Sequence, residues 1–334
     1  MNNKKKITIR DIAKESGVSV ATVSRYINKV SYTSLETEKK IQGVLDKFDF
    51  TPNAVARGLA KQKTNTIAFV TPDIRNPFFP ELVKSVESVS KNRGYSLLLI
   101  STNEHDLKRK DFWNNLKSRY IEGLILAESE TSEEVTNHLK GLDIPFVRID
   151  RAVHLDESNS VSVNNFEGAR LAVNHLIEVG CKKIVHISGP KSFFPAQGRI
   201  KGYLNVMEDK GWEEIIYEGD FTLESGRKQT EKLLKEQPDV DGIFYANDLM
   251  AIGALKAFKN LGVNVPKDIA IIGFDGIQLT EIVSPEISTI SQPINKIGEI
   301  ATNSLIYKIE NPNQSMNQNV LLDVKLIKRE STQR

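Results

Sequence analysis

Two sets of residues in this chain have the type and spacing to do chemistry. The first lies within residues 9–25, IRDIAKESGVSVATVSR. There Ser19, Val20, Ala21, Thr22, Ser24 and Arg25 are short polar, small apolar and basic groups, able to reach base edges or phosphates without steric conflict. The second set is scattered: Asp73, Asn76, Asp150, Arg199, Asn247, Asp248 and Asp275 lie at or just beyond the ends of short apolar runs. Fixed carboxylates and amides accept from and donate to sugar hydroxyls, and Phe78, Phe79, Phe193, Phe194 and Phe221 could stack on a sugar ring. Asp and Asn at such positions also serve as turn-formers and helix caps, and at this stage both uses stay open.

The elements that must position the first set are short helices. Thr8 is placed to cap one, with Asp11 three residues on, and Ser19 to cap a second, with Thr22 facing back. Gly17 stands between them, where a tight turn needs it. Ile12, Ala13, Val18 and Val23 are spaced to bury one face of each helix. This is a helix-turn-helix, whose second helix, Ser19 to Asn28, would lie in a major groove. A third helix is expected from Ser34 to Phe48, with Glu36 and Glu38 near its positive end and Ile41, Val44, Leu45 and Phe48 closing the core. Pro52 stops whatever element precedes it, and Asn53 can cap a further short helix ending at Ala60. Eight residues are too few to be helical alone in water. Residues 61–65 read as a linker.

From Thr66 onward apolar runs alternate with helical stretches. The runs are 66–71, 96–101, 123–127 and 146–150, and the pattern restarts at 183–188, 242–246 and 269–273. Helices are expected at 79–92, 107–120, 165–179, 196–210, 223–236 and 248–261. The fold class is therefore α/β, two open parallel sheets covered on both faces, behind an all-α head. Such sheets place ligands at the carboxyl ends of their strands.

Charge separates the same two parts. Residues 1–63 hold 13 Lys/Arg against 6 Asp/Glu, whereas the remainder holds 32 against 37, so the net +2 conceals a basic head on a mildly acidic body. That segregation suits a DNA-binding module joined to a small-molecule domain. No run is long and apolar enough for a membrane span, and Lys4-Lys5-Lys6 leads directly into an amphipathic helix rather than a signal-peptide core. The single cysteine, Cys181, permits no internal disulfide and fits a reducing cytoplasm. An enzyme is the first rival reading. It finds no Gly-x-Ser-x-Gly elbow, Walker A loop or Gly-x-Gly-x-x-Gly, and the five histidines are scattered without metal-ligand spacing. No cofactor is implied.

The stretch TIRDIAKESGVSVATVSRYIN at 8–28, followed by TPNAVARGLA at 51–60, resembles the lactose-repressor (LacI/GalR) family of bacterial transcription regulators, and the likeness runs essentially end to end. It implies that Val20, Ala21 and Arg25 face bases, that Ser19, Ser24, Ser34 and Thr37 meet phosphates, and that Thr8, Thr22, Asn53 and Ala56 join them on DNA. Residues 53–60 would be the hinge helix, ordering when two copies pair in the minor groove, with Leu59 as the intercalating wedge and Arg57 beside it. Three residues depart from the family pattern: Glu38 stands where a basic residue is usual, Asp49 where a glycine or asparagine is, and Phe50 where a tyrosine is.

For the body, the resemblance implies the periplasmic sugar-binding-protein fold. One subdomain would be 66–162 with 293–322, the other 163–292 with 323–330. The motifs GRIKGY at 198–203, Ala246-Asn247-Asp248 and Gly273-Phe274-Asp275 match family contact motifs. The expected effector set is Asp73, Asn76, Phe78, Phe79, Asp150, Phe193, Arg199, Phe221, Asn247 and Asp275, with specificity in the loop 190–197. Apolar heptads are absent near Arg334, so the expected assembly is a homodimer on a pseudo-palindromic operator duplex, controlled by a small molecule of the sugar class. The remaining rivals are a global catabolite regulator docking a phosphorylated carrier protein and a stand-alone sugar-binding protein, which would need a signal peptide. Whether the effector releases or promotes DNA binding is not legible in the residues.

Overall fold

The computed structural model describes residues 7–28, 32–50, 63–127, 133–150, 159–314 and 319–334. The expected hinge residues Asn53, Ala56, Arg57 and Leu59 lie outside these. The chain divides into two compact units, 1–64 and 65–334. Asn65, which the sequence suggests as linker, is tied into the second: its N–H donates to Glu122 (2.7 Å) and its carbonyl accepts from Ser96 (2.7 Å).

The first unit contains α1 (Ile9–Ser16), α2 (Val20–Asn28) and α3 (Leu35–Lys47). Ile12, Ala13, Val23 and Ile41 form its buried core, with Ile9, Val18, Ile27, Val44, Leu45, Phe48 and Phe50 packed around them. Gly17 takes φ 67° and ends α1, its N–H donating back to Lys14. Asp49 sits at φ 46°, a left-handed position that asparagine, aspartate and glycine tolerate best.

The second unit holds two six-stranded sheets. In order across the first sheet the strands are β11 (Asn319–Leu322), β5 (Asn159–Val163), β4 (Phe146–Ile149), β3 (Gly123–Ala127), β1 (Thr66–Thr71) and β2 (Ser96–Ser101). The second runs β12 (Lys325–Ile327), β10 (Ser288–Ser291), β9 (Ala270–Asp275), β8 (Gly242–Tyr245), β6 (Ile184–Ser188) and β7 (Ile216–Glu218). Every pairing is parallel except β10 with β12. β1, β3, β6, β8 and β9 are almost wholly buried, as continuous apolar runs between two helical layers must be.

Helices α4 (Phe78–Asn92), α5 (Glu104–Leu107), α6 (Lys110–Lys117) and α7 (Glu133–Lys140) follow strands of the first sheet. α8 (Asn165–Glu178), α9 (Phe194–Lys210), α10 (Leu223–Glu236) and α11 (Asp248–Leu261) belong to the second, and α12 (Ile294–Glu310) returns to pack on α4. A helix over 107–120 is not continuous. Arg109 between α5 and α6 is extended, clamped to Asp111 through two hydrogen bonds, and Trp113 Nε1 caps the first turn by donating to the Leu107 carbonyl (2.6 Å). Among the described residues no helix is long and apolar enough to cross a membrane.

Candidate functional site

In the first unit, caps fix the recognition helix. Thr8 N–H donates to Asp11 Oδ2 (2.8 Å) while Asp11 N–H donates to Thr8 Oγ1 (3.4 Å), closing a capping box. Ser19 Oγ accepts from Thr22 N–H (3.1 Å), and the Ser19 and Thr22 hydroxyls also bond each other (2.9 Å). Ser34 and Thr37 repeat this pattern at the start of α3. The buried side of α2 uses Val23, which leaves Ser19, Val20, Ala21 and Arg25 exposed and Thr22 and Ser24 half-buried. The far end of α2 is pinned to α3 by Tyr26, which donates to Gln42 Oε1 (2.8 Å), itself bonded through Nε2 to Asp46 (2.7 Å).

In the second unit, the carboxyl ends of strands from both sheets converge on one cavity of about 350 Å³. All ten residues expected to meet an effector line it. β1 delivers Asp73 and Asn76, the start of α4 delivers Phe78 and Phe79, and β4 delivers Asp150. The other lobe supplies Phe193 and Arg199 at α9, Phe221 before α10, Asn247 as the cap of α11, and Asp275 at the end of β9. Phe78 and Phe79 meet edge to face at 5.3 Å, and across the cavity Phe193 and Phe221 lie 6.1 Å apart. Phe194 begins α9 and does not line the cavity.

Arg199 is the polar centre, 3% exposed. Its Nε donates to Asn165 Oδ1 (2.8 Å), an Nη1 hydrogen goes to the Ala246 carbonyl, and its plane lies 3.7 Å over the Phe274 ring. Nη2 stands 3.7 Å from Asp275 Oδ1, which also accepts from Gln292 Nε2 (2.8 Å). Asp248, one residue past Asn247, faces inward instead. Its Oδ2 accepts from the Gly276 and Ile277 N–H groups (2.7 and 3.0 Å) and its Oδ1 from Thr289 Oγ1 (2.6 Å). It therefore stitches α11 to β9 and β10. Burial raises Asp150 to about 6 and Asp275 to about 7, in both cases against the pull of Arg199.

Asn247 has two tasks: Oδ1 caps α11 through Met250 N–H (3.0 Å) and Nδ2 donates to the Phe221 carbonyl (3.0 Å). Phe221 is held at φ 67°. Its ring lies over Gly189, where a Cβ would stand 2.1 Å from Cζ. Sequence reasoning missed Gly189, Gln292, Pro195, Leu249 and a charged rim. On that rim Arg75 clamps Asp73 (Nη2 to Oδ2, 2.8 Å), and Glu224 is paired with Arg227 (2.7 Å).

Two family models match the chain. Residues 8–53 match "Bacterial regulatory proteins, lacI family", and residues 173–332 match "Periplasmic binding protein-like domain". The ribose operon repressor of Halalkalibacterium halodurans is 41% identical over 303 residues, 91% of this chain and 90% of that protein. The crystal structure of the lac repressor dimer bound to operator and the anti-inducer ONPF superposes with a TM-score of 0.89 at 27% identity, covering 98% of this chain and 99% of that one. A LacI family transcriptional regulator from Enterococcus faecalis V583, solved with bound ribose, superposes at 0.72 with 29% identity, covering 80% of this chain and 98% of that one.

Proposed function

The chain belongs to the lacI family of bacterial regulatory proteins, and from that premise we propose that the effector of this repressor is a neutral sugar of the ribose class. Members of the family are transcription regulators, and this one is a sequence-specific DNA-binding repressor, acting as a homodimer on operator DNA under the control of a small molecule. In our reading the ten cavity-lining residues hold that molecule, and residues 53–60 form the hinge that carries its effect to the DNA. Leu59 is the wedge and Arg57 its neighbour in the groove. The effector changes the relation of the two lobes, and by linkage DNA and effector affinities alter one another by the same factor.

One observation carries the sugar assignment: buried Arg199, Asp275 and Gln292 and half-buried Asp150 present polar edges to a cavity walled by Phe78, Phe79, Phe193 and Phe221. Polar edges suit ring hydroxyls, and aromatic faces suit the apolar faces of the ring. The relative named for ribose and the ribose-bound structure support the same class. Charge favours the unphosphorylated form. Arg75 is clamped to Asp73 and Glu224 is paired with Arg227, so among the described lining residues Asp150, Asp220 and Asp275 are left with Arg199 as their cation. A sugar phosphate would enter an excess of negative charge.

The test is a thermal shift of the full chain against D-ribose, other pentoses, hexoses, ribose 5-phosphate and purines. A ligand at 100 times its Kd adds about 2.7 kcal/mol and raises the Tm by several degrees. D-ribose should do so, and should also change the anisotropy of a labelled operator complex. A shift with ribose 5-phosphate or a purine, and none with neutral sugars, refutes the assignment.

A further inference from the structure

The Asp275 side chain reaches the cavity from an unfavourable piece of backbone. Asp275 stands at φ 121° and Gly276 at φ 79°, the first a conformation that a residue with a side chain avoids. Such a turn persists only where its surroundings over-determine it. Gln292 supplies part of that constraint: its N–H donates to the Asp275 carbonyl (2.9 Å) and its Nε2 to Oδ1 (2.8 Å). The rest comes from Asp248, the first residue of α11, which is wholly buried and does not line the cavity. Its Oδ2 takes both N–H groups that follow Asp275, those of Gly276 and Ile277, and Thr289 Oγ1 fixes its other oxygen. Gly273 leaves room for this approach, since a Cβ there would stand 2.2 Å from Asp248 Oδ1. Capping does not need these bonds, because Asn247 already caps α11. We infer that Asp248 is a positioning residue of the effector site: it sets the turn that carries Asp275, and so sets the affinity for an effector it does not touch.

This rests on the reading of Asp275 as a sugar contact. Without Asp248 the buried Ile277 N–H and the half-buried Gly276 N–H lose their acceptor, and the turn is free to relax toward ordinary dihedrals. The Asp275 carboxyl then swings off the position it holds beside Arg199. Losing one hydrogen bond between a sugar hydroxyl and a charged group raises a Kd roughly 10- to 150-fold. Burial and the neighbouring Asp275 push the Asp248 carboxyl above the ordinary carboxylate range. Either protonation state makes the same three bonds, with Oδ1 accepting from Thr289 or donating to it. Asparagine fits for the same reason: its oxygen serves the two N–H groups and its amide turns to Thr289 Oγ1, which can accept. Alanine keeps none of the three bonds. Thr289→Val removes only the hydroxyl that fixes the second oxygen.

The experiment is calorimetric titration of the full chain and its variants with D-ribose, the stoichiometry giving the folded fraction. Asp248→Ala should raise the Kd roughly 10- to 150-fold and Thr289→Val about threefold or more, while Asp248→Asn stays within about threefold of the parent. The deciding readout repeats Asp248→Ala and Thr289→Val on Asp275→Gly, which lacks the carboxyl and adopts φ 121° without strain. There each should change the Kd by less than about twofold. A parental Kd in Asp248→Ala, or equal penalties in both backgrounds, overturns the inference, since a merely structural loss does not depend on Asp275. Should Asp248→Ala fail to fold, Thr289→Val carries the same comparison. Hydrogen exchange on the ligand-free chain gives a readout independent of any sugar: the Gly276 and Ile277 amides should exchange about threefold faster or more in Asp248→Ala and Thr289→Val, and near the parental rate in Asp248→Asn. If their exchange is unchanged in all three, the inference fails whatever binds. If it quickens as expected and no neutral sugar binds the parent, the sugar reading fails while the held turn stands.

Discussion

Replacing Gly189 by alanine tests whether Phe221 walls the effector site. Gly189 ends β6, and an added Cβ would lie 2.1 Å from Phe221 Cζ and 2.5 Å from both Cε atoms, with no other atom so near. Ordinary carbon contacts need about 3.5–4.0 Å, so the ring must retreat by roughly 1.5 Å. It cannot do so with its backbone, because Phe221 is held at φ 67° and its carbonyl is bonded to Asn247. The free direction is the cavity that the ring already lines. Forcing an extra methyl into a packed site costs about 1–3 kcal/mol. Here the empty protein escapes most of that cost by swinging the ring into open space, and the effector must reverse the swing in order to bind. The penalty therefore falls on affinity, a rise in Kd of roughly 5- to 150-fold. Calorimetry with D-ribose reads that change, and the Tm of the ligand-free variant should stay within a few degrees of the parent. Operator affinity without effector, read by anisotropy, should be unchanged. A Kd within twofold of the parent would refute the placement of Phe221 as the wall.

Two other substitutions separate the parts of the molecule. Arg199→Met removes the buried guanidinium that faces Asp275 and pulls both Asp150 and Asp275 down, and breaking a buried ion pair by removing one partner costs about 3–5 kcal/mol; the Tm should fall and the ribose response vanish, and a variant that still responds at parental ribose concentrations contradicts the cleft assignment. Leu59→Ala should weaken binding to an operator selected from random duplexes by tenfold or more, with ribose affinity unaltered, since the lost wedge no longer stabilises a kinked centre; operator affinity within twofold of the parent rules out the wedge.

Much of this site is legible in the sequence because strand ends are legible. Continuous apolar runs mark β1, β4, β8 and β9, and the polar residue after each run falls at the cavity. Where a strand is not an apolar run, its site residue is lost from view. β10 reads Ser-Thr-Ile-Ser, and its hydroxyls are buried because partners satisfy them: Ser288 bonds Thr332 and Thr289 bonds Asp248. Gln292, the residue after it, is consequently not marked by any apolar run. β5, Asn-Ser-Val-Ser-Val, is likewise interrupted by polar residues and does not stand out as an apolar run. Gly189 is invisible for another reason, since its importance lies in a ring 32 residues away that only the fold brings over it.

The two uses open to the Asp and Asn residues, turn chemistry and ligand contact, are not exclusive in the folded protein. Asn247 spends Oδ1 on the helix cap and Nδ2 on the Phe221 carbonyl, and so fixes an aromatic wall while ending a strand. Asp150 and Asp275 stand at φ 64° and 121°, conformations an ordinary side chain avoids and aspartate accepts at some cost. That turn geometry carries each carboxylate off its sheet and onto the cavity beside Arg199. Turn-forming ability and ligand chemistry then select the same residue type. A strand-ending Asp in such a sheet is thus weak evidence for a site by itself, and becomes strong when a buried arginine from another element needs its charge.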